Sequence, residues 1–221
     1  VESPDGDNNF PGNVIANVTY TLTEDNAIDI QYNATTDKKT IINMTNHSYF
    51  NLNGDPSISS MNQVLYLAAD SITPVDDTFM TNGTMMAVTG TPFDFNTPKS
   101  IDQDVTNFDN EQIKFGKGFD HNWVLKTNRD IHQVAAQLTS PNTGITLEVY
   151  TDEPGIQVYT GNFLDGTVKG KKGIIYPQRA SVCLETQHYP DSPNKKHWPS
   201  VVLEPGKTYT SHCIFKFGVI K

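Results

Sequence analysis

The chain has 221 residues and a formal net charge of -9. That length can bury a substantial core, as one large domain or two small ones, while the acidity argues against nucleic-acid backbones and anionic membranes as partners. No apolar run approaches the roughly 20 residues that span a bilayer.

The chain opens on Val1-Glu2-Ser3-Pro4-Asp5-Gly6, with neither an initiator Met nor a secretory leader pattern. Asp5, Asp7 and Asn9 offer oxygens on alternate positions, as a calcium loop does. The loop's sixth position is Phe10 instead of Gly, and its twelfth is Ala16 instead of Glu. The stretch is therefore read as a turn leading into the first strand. Val14, Ala16, Val18, Tyr20 and Leu22 then alternate with Ile15, Asn17, Thr19 and Thr21, and Ile28, Ile30 and Tyr32 alternate with Asp29 and Gln31. Apolar residues on every second position are what a strand with one buried face requires.

A β-branched run, Thr40-Ile41-Ile42, predicts another strand and leads to Thr45-Asn46-His47-Ser48-Tyr49-Phe50-Asn51-Leu52-Asn53-Gly54, which ends in an Asn-Gly turn signal. His47 thus sits where a rigid strand gives way to a loop, a common mount for a group that moves protons. The plain alternative is a histidine satisfied beside a hairpin. Residues 70–119 are loop-like, with strands only weakly indicated. Gly118-Phe119-Asp120-His121-Asn122-Trp123 then places an acid, an imidazole, an amide and an indole at a strand entrance. Carboxylate and amide oxygens beside an aromatic face suit a sugar, whose hydroxyls need acceptors and whose ring needs an apolar wall. An Asx-turn capping the strand is the alternative.

Val134, Ala136 and Leu138 form a further period-two row, as do Ile145, Leu147 and Val149. Gln157 lies out of phase with Ile156 and Val158, in a strand running into the polar turn Tyr159 to Gly166. It either faces a polar concave surface or is simply solvated. Val182, Cys183 and Leu184 predict an apolar strand that delivers Glu185 at its end, before Tyr189-Pro190 forces a turn. A carboxylate against Val182, Leu184 and Tyr189 is partly desolvated, which raises its pKa toward the range of a general base. The alternative is a strand-edge glutamate in water. The last row is Tyr209, Ser211, Cys213, Phe215 and Phe217, and Cys183 and Cys213 read as two buried thiols rather than a disulfide.

Many short strands separated by Gly, Pro and Asn turns, with no capped helical stripe, predict an all-β sandwich or barrel in one domain, 1–221. Asn17, Asn33, Asn43, Asn46 and Asn82 head Asn-x-Ser/Thr sequons. They suit a secreted glycoprotein, but chance in an Asn- and Thr-rich chain is the preferred reading, and a glycan on Asn46 would block the His47 motif. A cytoplasmic location is expected, with secretion the alternative.

Read together, these segments resemble the aldose 1-epimerase (galactose mutarotase) family. The matching stretches are Ser3-Pro4-Asp5-Gly6 with Phe10-Pro11-Gly12-Asn13, Thr45 to Gly54, Thr91-Pro92-Phe93-Asp94-Phe95, Phe119 to Leu125, Tyr159 to Gly166, and Cys183 to Asn194. Each is modest alone, but they run in the family's order over nearly the whole chain. The resemblance implies an antiparallel β-supersandwich binding its sugar on a concave face, incomplete at its N-terminal side. It implies that His47 is the histidine that protonates the sugar ring oxygen and Glu185 the glutamate that deprotonates the anomeric hydroxyl. Asp120 and Gln157 match positions that hydrogen-bond sugar hydroxyls. The implied substrate is a small aldohexose, glucose or galactose, and no metal, nucleotide or redox cofactor is implied.

Family members carry an N-terminal portion, with an arginine and a further histidine on the sugar, that has no counterpart here. The chain is therefore expected to be a fragment, to be completed by a second polypeptide, or to be a shortened homologue. A non-catalytic carbohydrate-binding protein is the competing function. A glycoside hydrolase with paired carboxylates fits less well, because the acid partner is a histidine. His47 and Glu185 are expected to face each other across one cleft about a sugar ring wide.

Overall fold

The alternating rows become the strands of two packed antiparallel sheets. The structure is a computed structural model and describes residues 1–220; Lys221, the last residue of the expected domain, lies outside the described residues. The larger sheet has eight strands, in spatial order Glu2–Ser3, Val14–Leu22, Ala27–Thr36, Tyr209–Val219, Ile145–Thr151, Val134–Thr139, Val64–Leu67 and Lys99–Ser100. The smaller has six: Tyr49–Phe50, Val182–Gln187, Gly155–Tyr159, Asp120–Leu125, Ala69–Thr73 and Met86–Ala87. Thr40–Ile41 pairs with Val202–Leu203 in a separate ribbon. Both large sheets end in free edges, so the architecture is an open sandwich rather than a closed barrel.

The predicted parity decides what enters the core. Ile30, Leu138, Leu147, Val149 and Phe215 from the larger sheet meet Ile72, Trp123, Ile156, Val158, Val182 and Leu184 from the smaller in one buried cluster. Cys183 and Cys213 are both buried free thiols, as expected. The first row departs from expectation: Ala16 is buried, but Tyr20 and Leu22 are 60% and 82% exposed. Alternation marks which face a residue takes, not whether that face is covered.

Residues 70–119 carry more order than their sequence suggests. They hold short strands and the only α-helix among the described residues, Glu111–Gly116. Its N-cap, Asn110, accepts hydrogen bonds from the backbone N–H groups of Gln112 and Ile113. Six residues are too few for a periodic stripe to be visible. At the start of the chain, the Asp5 carboxylate is taken up by the Gly12 N–H and by Lys38. That turn leads into the first long strand, as expected.

Candidate active site

Strand register brings chemistry to the face of the six-stranded sheet turned away from the core. Asn122 pairs with Gln157, and Gln157 with Glu185. Two residues along each strand, Asp120 pairs with Tyr159, Tyr159 with Cys183, and Cys183 with Tyr49. Cross-strand partners in an antiparallel sheet project to the same side, so these residues share one surface. His47 precedes the Tyr49–Phe50 strand, in a segment outside any strand. Its ring lies 4.9 Å from that of Tyr49 and stands edge-on to Tyr159 at 6.0 Å.

The result is a cleft of about 430 Å³ lined by His47, Tyr49, Asp120, Gln157, Tyr159, Phe163, Glu185, Gln187 and Pro190. All four residues singled out in the sequence therefore meet in one place. His47 Nε2 stands 3.4 Å from Glu185 Oε1, with the imidazole 48% exposed and the carboxylate only 9% exposed. This is closer than the expected ring width, and the chemistry of a hemiacetal explains why. The ring oxygen and the anomeric hydroxyl hang on the same carbon, so groups serving both must converge on one point.

Burial, helped by the nearby Asp120 charge, pushes the Glu185 carboxyl up to about 7. Burial also raises Asp120, outweighing the opposing hydrogen bond from Gln157 and the charge of His47. Gln157 Nε2 donates to Asp120 Oδ1 at 2.8 Å, while Gln157 Oε1 is buried without a partner. A buried acceptor facing a cleft is costly unless a ligand satisfies it, and a hydroxyl would do so. Gln157 is thus the face-directed residue of the two readings, not merely a solvated one.

The aromatic wall is not the one the sequence suggested. Trp123 is fully buried on the opposite face, where it packs with Phe93, Phe95 and Phe119 and donates its indole N–H to the Phe93 carbonyl at 3.0 Å. His121 is buried beside it, and desolvation lowers its imidazole to about 3, so it is a neutral core residue. The reason is parity: Asp120 lines the cleft and Asn122 lies on the same side of the sheet, so His121 and Trp123 face the core. The cleft's aromatic surface is supplied instead by Tyr49, Tyr159 and Phe163. Phe163 stacks over Tyr159 at 6.2 Å, and its backbone N–H bonds the Tyr159 hydroxyl at 2.9 Å. The turn bearing Phe163 passes through Gly161 at φ 65, where an added Cβ would approach the Ser181 carbonyl oxygen at 3.1 Å. Tyr49 and Tyr159 each lie two positions from a flagged residue, and that spacing was the available signal.

His47, Cys183 and Glu185 also offer one ligand atom each within 4.8 Å of one another, the one such grouping among the described residues. Burial, with the Glu185 and Asp120 charges, pushes the Cys183 thiol up, away from ionisation.

The model of the family described as "Aldose 1-epimerase" matches residues 1–216. The galactose mutarotase of Homo sapiens is 42% identical over 217 residues, covering 98% of this chain and 61% of that protein. The aldose 1-epimerase of Escherichia coli (strain K12) is 41% identical over 219 residues, covering 98% and 62%. The chain thus spans about three fifths of the length of these curated relatives. Among solved structures, a GalM/aldose epimerase homologue from C. elegans superposes with TM-score 0.89 at 30% identity, over 100% of this chain and 65% of that one. Galactose 1-epimerase from Lactobacillus acidophilus NCFM gives TM-score 0.85 at 32% identity, over 100% and 62%.

Proposed function

Because the chain belongs to the aldose 1-epimerase family, we propose that it interconverts the α and β anomers of an aldohexose such as glucose or galactose. The observation that carries this reading is the buried Glu185 carboxylate facing the His47 imidazole at 3.4 Å. Glu185 takes the proton from the anomeric hydroxyl while His47 delivers one to the ring oxygen. The C1–O5 bond breaks, giving the open-chain aldehyde with a C5 hydroxyl. After rotation about C1–C2, Glu185 returns its proton to the carbonyl oxygen and His47 recovers one from the C5 hydroxyl as the ring closes on the other face. Atoms and protons balance over the cycle. The pair ends as it began, and the family's fold supplies the walls that hold the ring meanwhile.

Asp120 and Gln157 hold the sugar in this reading, through the free Gln157 oxygen and the Asp120 carboxylate. Asp120→Asn is expected to raise KM by about 10- to 100-fold, the scale of one hydrogen bond to a charged acceptor, with kcat within about threefold of the parent. A kcat loss with unchanged KM would place Asp120 in the chemistry instead.

The pH dependence follows from Glu185. The base must be ionised, and its carboxyl is raised to about 7. Falling pH protonates it, so kcat is expected to drop as pH falls through about 7, approaching tenfold per unit well below that value. A rate that stays level down to about pH 5 would contradict a base tuned by burial.

The direct test is polarimetry on freshly dissolved α-D-glucose and α-D-galactose. Relaxation to the equilibrium rotation should accelerate in proportion to protein concentration. Sugar binding seen by calorimetry without any acceleration would favour the non-catalytic carbohydrate-binding reading. The amides of Asn43 and Asn46 are engaged in hydrogen bonds that N-linked glycans at those two sequons would break.

A further inference from the structure

We propose that Asn43 is the positioning residue that sets the distance between His47 and Glu185. Residues 42–48 belong to no strand, and the backbone holds the loop that carries His47 at its two ends, where the Ile42 N–H donates to the Val201 carbonyl and Tyr49 pairs with Cys183. After His47 that pairing ties the chain to the strand carrying Glu185; before it, the tie to that strand is one amide. Asn43 Nδ2 donates to the His188 carbonyl at 2.9 Å, and the His188 N–H donates back to Asn43 Oδ1 at 3.0 Å. His188 directly follows Val182–Gln187, the strand that delivers Glu185. The two bonds form a closed, two-point clamp between the acid's loop and the base's strand.

The far side of the clamp is itself anchored. His188 Nδ1 contacts Glu153 Oε2 at 2.5 Å, and Glu153 is fully buried at the corner before the Gly155–Tyr159 strand that carries Gln157. On the near side, the Met44 N–H donates to the Tyr209 hydroxyl at 3.2 Å. His188 is therefore a fixed post, and Asn43 is the adjustable link that references His47 to it. Asn43 itself is exposed, so truncating it removes hydrogen bonds but little core packing. A side chain that touches neither the cleft nor the core, yet pairs with backbone on both counts, acts on geometry.

This role rests on the acid–base reading of the site, and its test has one arm that needs no turnover. In Asn43→Ala, the NMR perturbation of the His47 ring signals caused by adding Glu185→Gln should shrink at least about twofold relative to the parent background, because the two groups no longer hold one separation. In the kinetic arm, Asn43→Ala should lower kcat about tenfold with KM within about twofold, the signature of misaligned reacting groups with intact sugar contacts. Asn43→Asp, which keeps the acceptor but turns an oxygen toward the His188 carbonyl, should do the same and serves if the alanine variant folds poorly. Undiminished NMR coupling, or wild-type kcat in both variants, would overturn the clamp. Diminished coupling in a protein whose parent shows no mutarotation would support the clamp while overturning the functional reading.

Discussion

Glu185→Gln is expected to lower the catalysed anomerisation rate by at least roughly 10²-fold, the usual scale for loss of a general base. The substitution preserves shape and hydrogen-bonding reach but leaves no group able to take the anomeric proton. The fold should tolerate it, because the neighbours Val182, Cys183 and Leu184 are fully buried and hold the strand independently of residue 185. Linkage supports the same expectation. The Glu185 carboxyl is raised in the folded state, so its ionised form is penalised there, and that penalty is felt once pH rises above the unfolded value. Replacing it with a neutral amide removes the penalty, and the variant should melt no lower than the parent above about pH 7. Near-normal anomerisation by Glu185→Gln would rule out the assigned base. A collapsed melting transition would show that the residue supports the fold.

His47→Asn is expected to cost a similar factor, at least roughly 10²-fold in kcat, because ring opening then expels an unprotonated alkoxide from C1. The imidazole is half exposed, and its contacts are the cleft's own Tyr49 and Tyr159 rings. The loss should therefore appear in kcat rather than in melting temperature, with a smaller rise in KM from the lost ring contact. Sugar binding measured by calorimetry should survive in both variants. Should binding vanish together with turnover, His47 would be a binding group, and the source of the ring-oxygen proton would lie elsewhere.

The legible part of this molecule was whatever depends on parity within a strand. Alternation placed Ile156 and Val158 in the core and Gln157 on the other side, and it set Glu185 on the face opposite Leu184, although the strand expected to end at Glu185 runs on to Gln187. The same rule, applied to Asp120 and Asn122, would have sent Trp123 to the core. The pull of an indole beside a carboxylate led instead to an aromatic wall that Tyr49, Tyr159 and Phe163 actually form. Where strands pair across long separations, sequence is silent: nothing local says that Cys183 lies between Tyr49 and Tyr159. The His47–Glu185 contact depends on that pairing and on the Asn43 clamp, so it could be named from resemblance but not located. The short Glu111–Gly116 helix was invisible because its stability comes from an Asn110 cap and burial of Ile113, not from a repeating stripe.

The central claim is that Glu185 and His47 act on one carbon in one step, and the double variant Glu185→Gln/His47→Asn tests it most directly. Groups that work as a unit lose their joint contribution when either is removed, so their effects do not multiply. Polarimetry at matched protein concentration should show the double variant no slower than about threefold below the weaker single variant. Losses that multiply, taking the double variant to the product of the two single factors, would mean that the residues act in separate steps, and the acid–base pair drawn from their 3.4 Å contact would be wrong.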